Sequence, residues 1–207
     1  MSAEPAPAPR VPLKRLIVPI AAMTFVVAAA NVLVQHPVQH YGLDDKLTWG
    51  AFAYPFAFLV TDLTNRRFGP AGARLAVYAG FALAVAMSVA LATPRVALAS
   101  GTAFLFGQLL DVAVFARLRQ LAWWRAPLAA SMLGSAIDTA LFFSLAFAGA
   151  PELSAPVALL PSLEVPLWVS LGVYDFIVKL IFAGLLLAPY GALMGVVRPF
   201  ERAAPAR

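Results

Sequence analysis

An all-α membrane protein, a bundle of six transmembrane helices, is the fold class this sequence predicts, and three observations predict it. Apolar residues make up 62% of the 207 and charged residues 12%, which leaves too little polar surface to cover a soluble domain. The apolar residues gather in six runs, each supplying about the 20 residues or more that a helix rising about 1.5 Å per residue needs to cross a hydrocarbon core. Lysine and arginine concentrate in alternate connections between those runs, the pattern left when positive loops are retained in the cytoplasm.

The runs are 16–34, 47–63, 72–92, 96–116, 126–149 and 167–197. Ahead of the first, residues 1–9 are rich in Pro and Ala and too poor in large apolar groups to fold or to form a cleavable signal, so the first run is expected to stay as an anchor. The domain organisation expected is a disordered cytoplasmic N-terminus over 1–15, a membrane domain over 16–197 and a cytoplasmic tail over 198–207. The second run is short and carries Pro55, which predicts either a kink or an extension through its polar end toward Phe68. The sixth is too long for one straight span, and Pro189 and Gly191 are placed to end or bend it.

Orientation follows from the basic residues. Arg10, Lys14, Arg15, Arg66, Arg67, Arg74, Arg117, Arg119, Arg125, Arg198, Arg202 and Arg207 fall on one side; Lys46 and Arg95 fall on the other, with Asp44, Asp45, Glu152 and Glu164. Both termini are therefore expected in the cytoplasm, in a bacterial inner membrane. The net charge of +5 is explained by topology, and nucleic acid is not expected as a partner, since the basic residues sit between apolar runs rather than on a folded basic surface.

Function is sought where charge enters a span, because an ionised group in hydrocarbon costs at least about 2.5 kcal/mol unless paired, hydrated or used. Asp62, Asp111, Asp138, Asp175 and Lys179 do so. Counting helical rise places Asp138, Asp175 and Lys179 near the middle with Gln108, and Asp62 and Asp111 nearer the cytoplasmic end. Asp175 and Lys179 are four apart in acid-before-base order, the spacing of an intrahelical ion pair. Asp138 has no charged residue in its own span and shares a face with Ser131 and Ser135, so it is expected to differ functionally from Asp175. Asp62 is expected to pair with Arg66 one turn on, and Asp111 to reach the Arg117–Arg119 interface.

Gln108 and Asp111, three apart, project an amide and a carboxylate from one helix face. That pair can meet a guanine-like edge: the carboxylate accepts from the ring N–H and exocyclic amine, and the amide donates to the carbonyl. Tyr54, Phe58, Phe104, Phe115, Trp168 and Tyr174 are near enough in the predicted bundle to stack on such a base, and Trp49, Trp123, Trp124 and Trp168 lie at span ends, where an aromatic belt is expected.

These residues form motifs. Tyr54-Pro55-Phe56, then Leu59-Val60-Thr61-Asp62-Leu63-Thr64 with Arg66 and Phe68-Gly69, open the series; Ala99-Ser100-Gly101, Gln108-Leu109-Leu110-Asp111-Val112 and Phe115-Ala116-Arg117-Leu118-Arg119 follow. Asp138-Thr139 with Phe142-Phe143, and Tyr174-Asp175 with Lys179, complete it. In these motifs the chain resembles the queuosine precursor transporters, a branch of a vitamin-uptake-like membrane family. The resemblance implies uptake of 7-cyano- and 7-aminomethyl-7-deazaguanine, and a fold similar to the six-helix substrate-binding subunits of energy-coupling-factor vitamin transporters. The substrate-binding residues expected are Gln108, Asp111, Asp138, Asp175, Lys179, Asp62, Tyr54, Phe58 and Tyr174. The alternative is a substrate-binding subunit for another vitamin-like molecule, driven by a separate ATPase.

The remaining features argue for less. There is no HExxH, no Gly-x-Ser-x-Gly and no cysteine, so no enzyme is expected. No phosphate-binding Gly-rich loop ending in Lys is present. His36 and His40 are separated by Pro37, which disfavours the helix that a metal pair would use; neither metal nor cofactor is expected. Gly191 and Gly195 give a weak small-residue signal for a homodimer.

Overall fold

The computed structural model describes residues 12–39 and 47–198. His40, Asp44, Asp45 and Lys46, the terminal segments and Arg10, Arg202 and Arg207 lie outside the described residues. After a short 3-10 turn at Leu13–Leu16, the helices are α1 (Ile17–Leu33), α2 (Gly50–Ala53), α3 (Pro55–Leu91), α4 (Pro94–Leu118), α5 (Arg125–Phe147), α6 (Leu167–Leu185) and α7 (Leu187–Leu193). Among the described residues, five helical stretches are long and apolar enough to cross a membrane; the longest, Gly50–Leu91, has 42 residues.

The polarity of the bundle is inverted relative to a soluble protein. Ile17, Val18, Phe25, Val89, Leu98, Phe106 and Leu185 are exposed, whereas Asp62, Gln108, Asp111, Asp138 and Lys179 are buried. Such an exterior is stable only against lipid, and polar side chains inside it must find partners on neighbouring helices. Trp49, Trp123 and Trp124 are exposed at helix ends, as an aromatic belt requires.

The breaks in the helices have local causes. The second run extends to Phe68 as one of the two expectations held, and is interrupted at Gly69, whose φ of 73° is a conformation that glycine adopts without a Cβ penalty. Pro70 follows, lacks an N–H, and starts the next helical segment. The bend in the sixth run falls at Leu186, between α6 and α7. Pro189 explains that position, because its ring excludes a continuous helix at the carbonyl four residues before it, that of Leu185.

Between α5 and α6 the chain forms an antiparallel hairpin, β1 (Pro156–Leu160) and β2 (Leu163–Pro166). It went unanticipated in the sequence, although the apolar residues flank a Pro161-Ser162 turn. On the same end, Pro37 pairs with Thr48 and the Trp49 amide donates to the His36 carbonyl, drawing the end of α1 against the start of α2.

Helices α4 and α5 are in close backbone contact at Gly107 and Gly134. A Cβ on Gly107 would stand 3.0 Å from the Gly134 carbonyl oxygen, and one on Gly134 would stand 2.9 Å from the Gly107 carbonyl oxygen and 2.7 Å from the Phe58 ring. Glycine on both sides is therefore what permits the crossing. Gly134→Ala should push the helices apart at a cost of about 1–3 kcal/mol and lower the thermal midpoint in detergent. Gly184→Ala, at a site where a Cβ meets nothing within 4 Å, should leave the midpoint unchanged or raise it; equal effects of the two would contradict this packing.

Candidate functional site

The antiparallel crossing puts Asp138 one turn beyond Gly134 toward one end of the bundle and Asp111 one turn beyond Gly107 toward the other. A Cβ on Gly107 would meet the Asp138 Cβ at 2.9 Å, and one on Gly134 would meet the Asp111 Cβ at 3.2 Å. Two polar layers result on opposite sides of the contact, as helical rise along the sequence predicts for the charged residues; Gln108, expected at the depth of Asp138, belongs instead with Asp62 and Asp111, because it bonds to Thr61 of α3 away from the cavity.

In the first layer Lys179 is the centre. Its Nζ lies 2.7 Å from Asp138 Oδ2 and 2.6 Å from Asp175 Oδ2, and it donates to Thr139 Oγ1 at 3.1 Å. The three donors of the ammonium are thereby used. Tyr54 donates from its hydroxyl to Asp138 Oδ1 at 2.9 Å, its ring facing the ammonium at 5.1 Å, and Thr139 donates to Asp175 Oδ2 at 2.8 Å. The pair expected between Asp175 and Lys179 is present. The expectation that Asp138 lacks a cation is corrected: α6 packs on α5, and the long lysine side chain reaches across to it. The asymmetry runs the other way too, for Asp138 is enclosed at 6% side-chain exposure while Asp175 retains 15%.

This network forms the floor of a cavity of about 500 Å³, within the usual range for small-molecule sites. The cavity lies where α1 and α5 end and α4 and α6 begin; Tyr54, Asp138, Asp175 and Lys179 line it together with Asn31, Ser100, Phe142, Phe143 and Phe147. The last five were not among the residues anticipated as binding. Asn31 could have been noticed as an amide in an otherwise apolar run; Phe142 and Phe143 carry no signal apart from their motif.

The other anticipated residues lie elsewhere. Phe58 packs edge-on behind Tyr54, with centroids 6.2 Å apart, and is 2% exposed. Tyr174 packs with Val38, Leu47 and Val178. Asp62, Gln108 and Asp111 belong to the second layer, buried beneath the cavity with Thr61 and Asn65. There Thr61 donates to Gln108 Oε1, Asn65 donates to the Val112 carbonyl at 2.9 Å, and Ser131 donates to Asp62 Oδ2 at 3.3 Å. The pairing expected between Asp62 and Arg66 is absent: Arg66 Nε donates instead to the Val197 carbonyl at 3.2 Å. Neither oxygen of Asp111 accepts a hydrogen bond from Arg117 or Arg119, because Asp111 faces the interior while those side chains extend from the helix end. Asp62 and Asp111 instead meet the same face of α5: Ser131 donates to Asp62, and a Cβ on Gly134, three residues on, would stand 3.2 Å from the Asp111 Cβ, so the two carboxylates are buried side by side.

A lipid-facing helical bundle enclosing a charged cavity defines a multi-pass membrane protein that accommodates a small molecule. A family model described as "Putative vitamin uptake transporter" matches residues 48–93 and 88–193. The "Queuosine precursor transporter" of Escherichia coli (strain K12) is 34% identical over 83% of this chain and 83% of its own. The "Probable queuosine precursor transporter" of Haemophilus influenzae is 33% identical over 84% of this chain and 83% of its own. A protein of the same description from Bacillus subtilis (strain 168) is 32% identical over 60% of this chain and 66% of its own. The chain therefore belongs to the queuosine precursor transporters of the vitamin-uptake-transporter family, a family of transporters and not of enzymes. No solved structure matches it significantly.

Removing the shared cation should be worse than removing either anion. Lys179→Met leaves two buried carboxylates facing each other, and breaking a buried pair in this way costs about 3–5 kcal/mol; membrane abundance should fall steeply. Asp175→Asn leaves Lys179 paired with Asp138 and should accumulate nearly normally. Quantitative immunoblotting of membranes distinguishes these outcomes, and normal accumulation of Lys179→Met would contradict the shared-cation arrangement.

Proposed function

We propose that this chain imports queuosine precursors, the 7-deazaguanines 7-cyano-7-deazaguanine and 7-aminomethyl-7-deazaguanine, across the bacterial inner membrane. The observation that carries the proposal is the cavity floor, where Lys179 is held between two carboxylates beneath aromatic walls. A flat, polar heterocycle matches such a site: Tyr54, Phe142 and Phe143 supply faces for its rings, and Asp175 accepts from the ring N–H and exocyclic amine. Charge-assisted bonds of this kind contribute about 1.5–3 kcal/mol each. Both bonds described for Asp175 fall on Oδ2, so Oδ1 is the acceptor we assign to substrate, with Asp138 acting mainly to hold Lys179 and Tyr54. This assignment moves recognition from the Gln108–Asp111 face to the cavity above it.

Six crossings, with both termini cytoplasmic and a bundle similar to the substrate-binding subunits of energy-coupling-factor transporters, are part of the same reading. At about 1.5 Å per residue, the 42-residue stretch Gly50–Leu91 would run about 63 Å, twice a hydrocarbon core of about 30 Å. The break at Gly69 divides it, and Arg66, Arg67 and Arg74 flank that break, where the positive-inside rule puts a cytoplasmic loop. Reporter fusions after Arg74, Arg125 and Arg198 should therefore report cytoplasm, and a fusion after Glu152 the periplasm. A periplasmic signal after Arg74 would remove the sixth crossing.

The functional test is rescue of cells that cannot make the deazaguanine. Expressing the chain should restore queuosine in tRNA at nanomolar external precursor, and Asp175→Asn should reduce uptake about tenfold or more while the protein stays in the membrane. Failure of the wild type to rescue would overturn the proposal, and full uptake by Asp175→Asn would remove that carboxylate from recognition.

A further inference from the structure

The second polar layer is not used by the cavity, and it is left with an unusual number of unsatisfied atoms. Asp62 Oδ1, Asn65 Oδ1, Gln108 Nε2 and both oxygens of Asp111 are buried without a hydrogen-bond partner, in side chains no more than 2% exposed. Buried polar groups are ordinarily satisfied, and orphaned ones call for a ligand or a strained function. The Gly107–Gly134 crossing packs directly against this layer, with the Asp111 Cβ 3.2 Å from where a Gly134 Cβ would stand. What fits is a proton.

Two carboxylates buried side by side against one face of α5 cannot both stay ionised without a cation between them, whereas one proton turns their repulsion into a hydrogen bond. The charged and titratable groups around the pair do not replace that proton. On α3, Arg66 is engaged with the Val197 carbonyl and, with Tyr190 of α7, lines a pocket at the far end of the bundle. On α4, Arg119 lies at the helix end beside Tyr190. Above the crossing, Lys179 of α6 is committed to Asp138 of α5 and to Asp175, with Tyr54 bonded to Asp138. The sequence of α1 contains no titratable side chain.

We propose that Asp62 and Asp111 form a proton-carrying pair, and that its proton enters the cell together with the substrate. The proposal rests on the transport reading above and adds its energy source. The pair stands between the cavity and a second pocket of about 320 Å³ at the opposite end of the bundle, lined by Arg66, Arg119, Gln120, Trp123 and Tyr190. In each cycle one O–H bond breaks as the pair releases its proton toward that pocket. One forms again as a proton from the cavity side replaces it, so a single proton crosses inward per substrate and no other bond changes.

Two measurements on the full chain test this. Infrared titration of the purified protein in lipid nanodiscs should show a protonated carboxyl C=O band that disappears at alkaline pH and is missing from the double variant Asp62→Asn/Asp111→Asn, which keeps shape and needs no proton to fold. Proteoliposomes enclosing a pH dye should acidify when 7-cyano-7-deazaguanine is added outside, and accumulation should rise about tenfold per unit of inward pH gradient; in the double variant any uptake should ignore the gradient. A band unchanged in the double variant, uptake without proton entry, or uptake driven by sodium instead would overturn the proposal. If wild-type vesicles take up no deazaguanine, the transport reading falls, and the infrared band alone decides whether the pair holds a proton.

Discussion

A lysine ammonium placed inside an apolar bundle must have every donor met, and Lys179 meets this requirement with residues from two helices: Asp175 on its own, Asp138 and Thr139 on α5. Tyr54, at the junction of α2 and α3, joins the network through Asp138. Because the lipid-facing exterior contributes little attraction between helices, these bonds tie the helices together at one depth. They also set the character of the cavity, since two carboxylates around one ammonium leave an acceptor to spare on its floor. The same contacts therefore serve the fold and the chemistry of the site.

The glycine crossing supplies the second constraint. With Gly107 and Gly134 in contact, Asp138 and Asp111 are pinned to opposite sides of one helix–helix contact, and the cavity cannot extend past it. On the transport reading proposed above, a solute bound over the crossing passes to the arginine-lined pocket at the other end only if α4 and α5 move apart or slide. On that reading the barrier is backbone packing, with the buried Asp62–Asp111 pair immediately beneath it.

Much of this was readable from the residues, and the rest depends on distances between helices. The extension of the second run toward Phe68 and the i, i+4 pairing of Asp175 and Lys179 are local features, and each appears where the sequence places it, whereas the second and third runs are joined into one stretch, Gly50–Leu91. The identity of a partner across the bundle is not local. Lys179 and Asp138 are 41 residues apart, and nothing along either helix specifies that α6 will present one to the other. Asp62 looked paired with Arg66 because the two are one turn apart, yet burial of that face against α4 and α5 turned it toward Asp111 and Ser131. Phe142 and Phe143 read as ordinary apolar residues until the ends of α1, α4, α5 and α6 enclose a space beside them.

The central claim is that the cavity above Lys179 is where a 7-deazaguanine binds, through the carboxylate of Asp175. The most direct measurement is equilibrium binding of radiolabelled 7-cyano-7-deazaguanine to the purified chain in nanodiscs, comparing wild type with Asp175→Asn and with Gln108→Leu. The account predicts saturable wild-type binding, about tenfold weaker in Asp175→Asn and little changed in Gln108→Leu, which lies below the cavity. Binding lost in Gln108→Leu and kept in Asp175→Asn would contradict it.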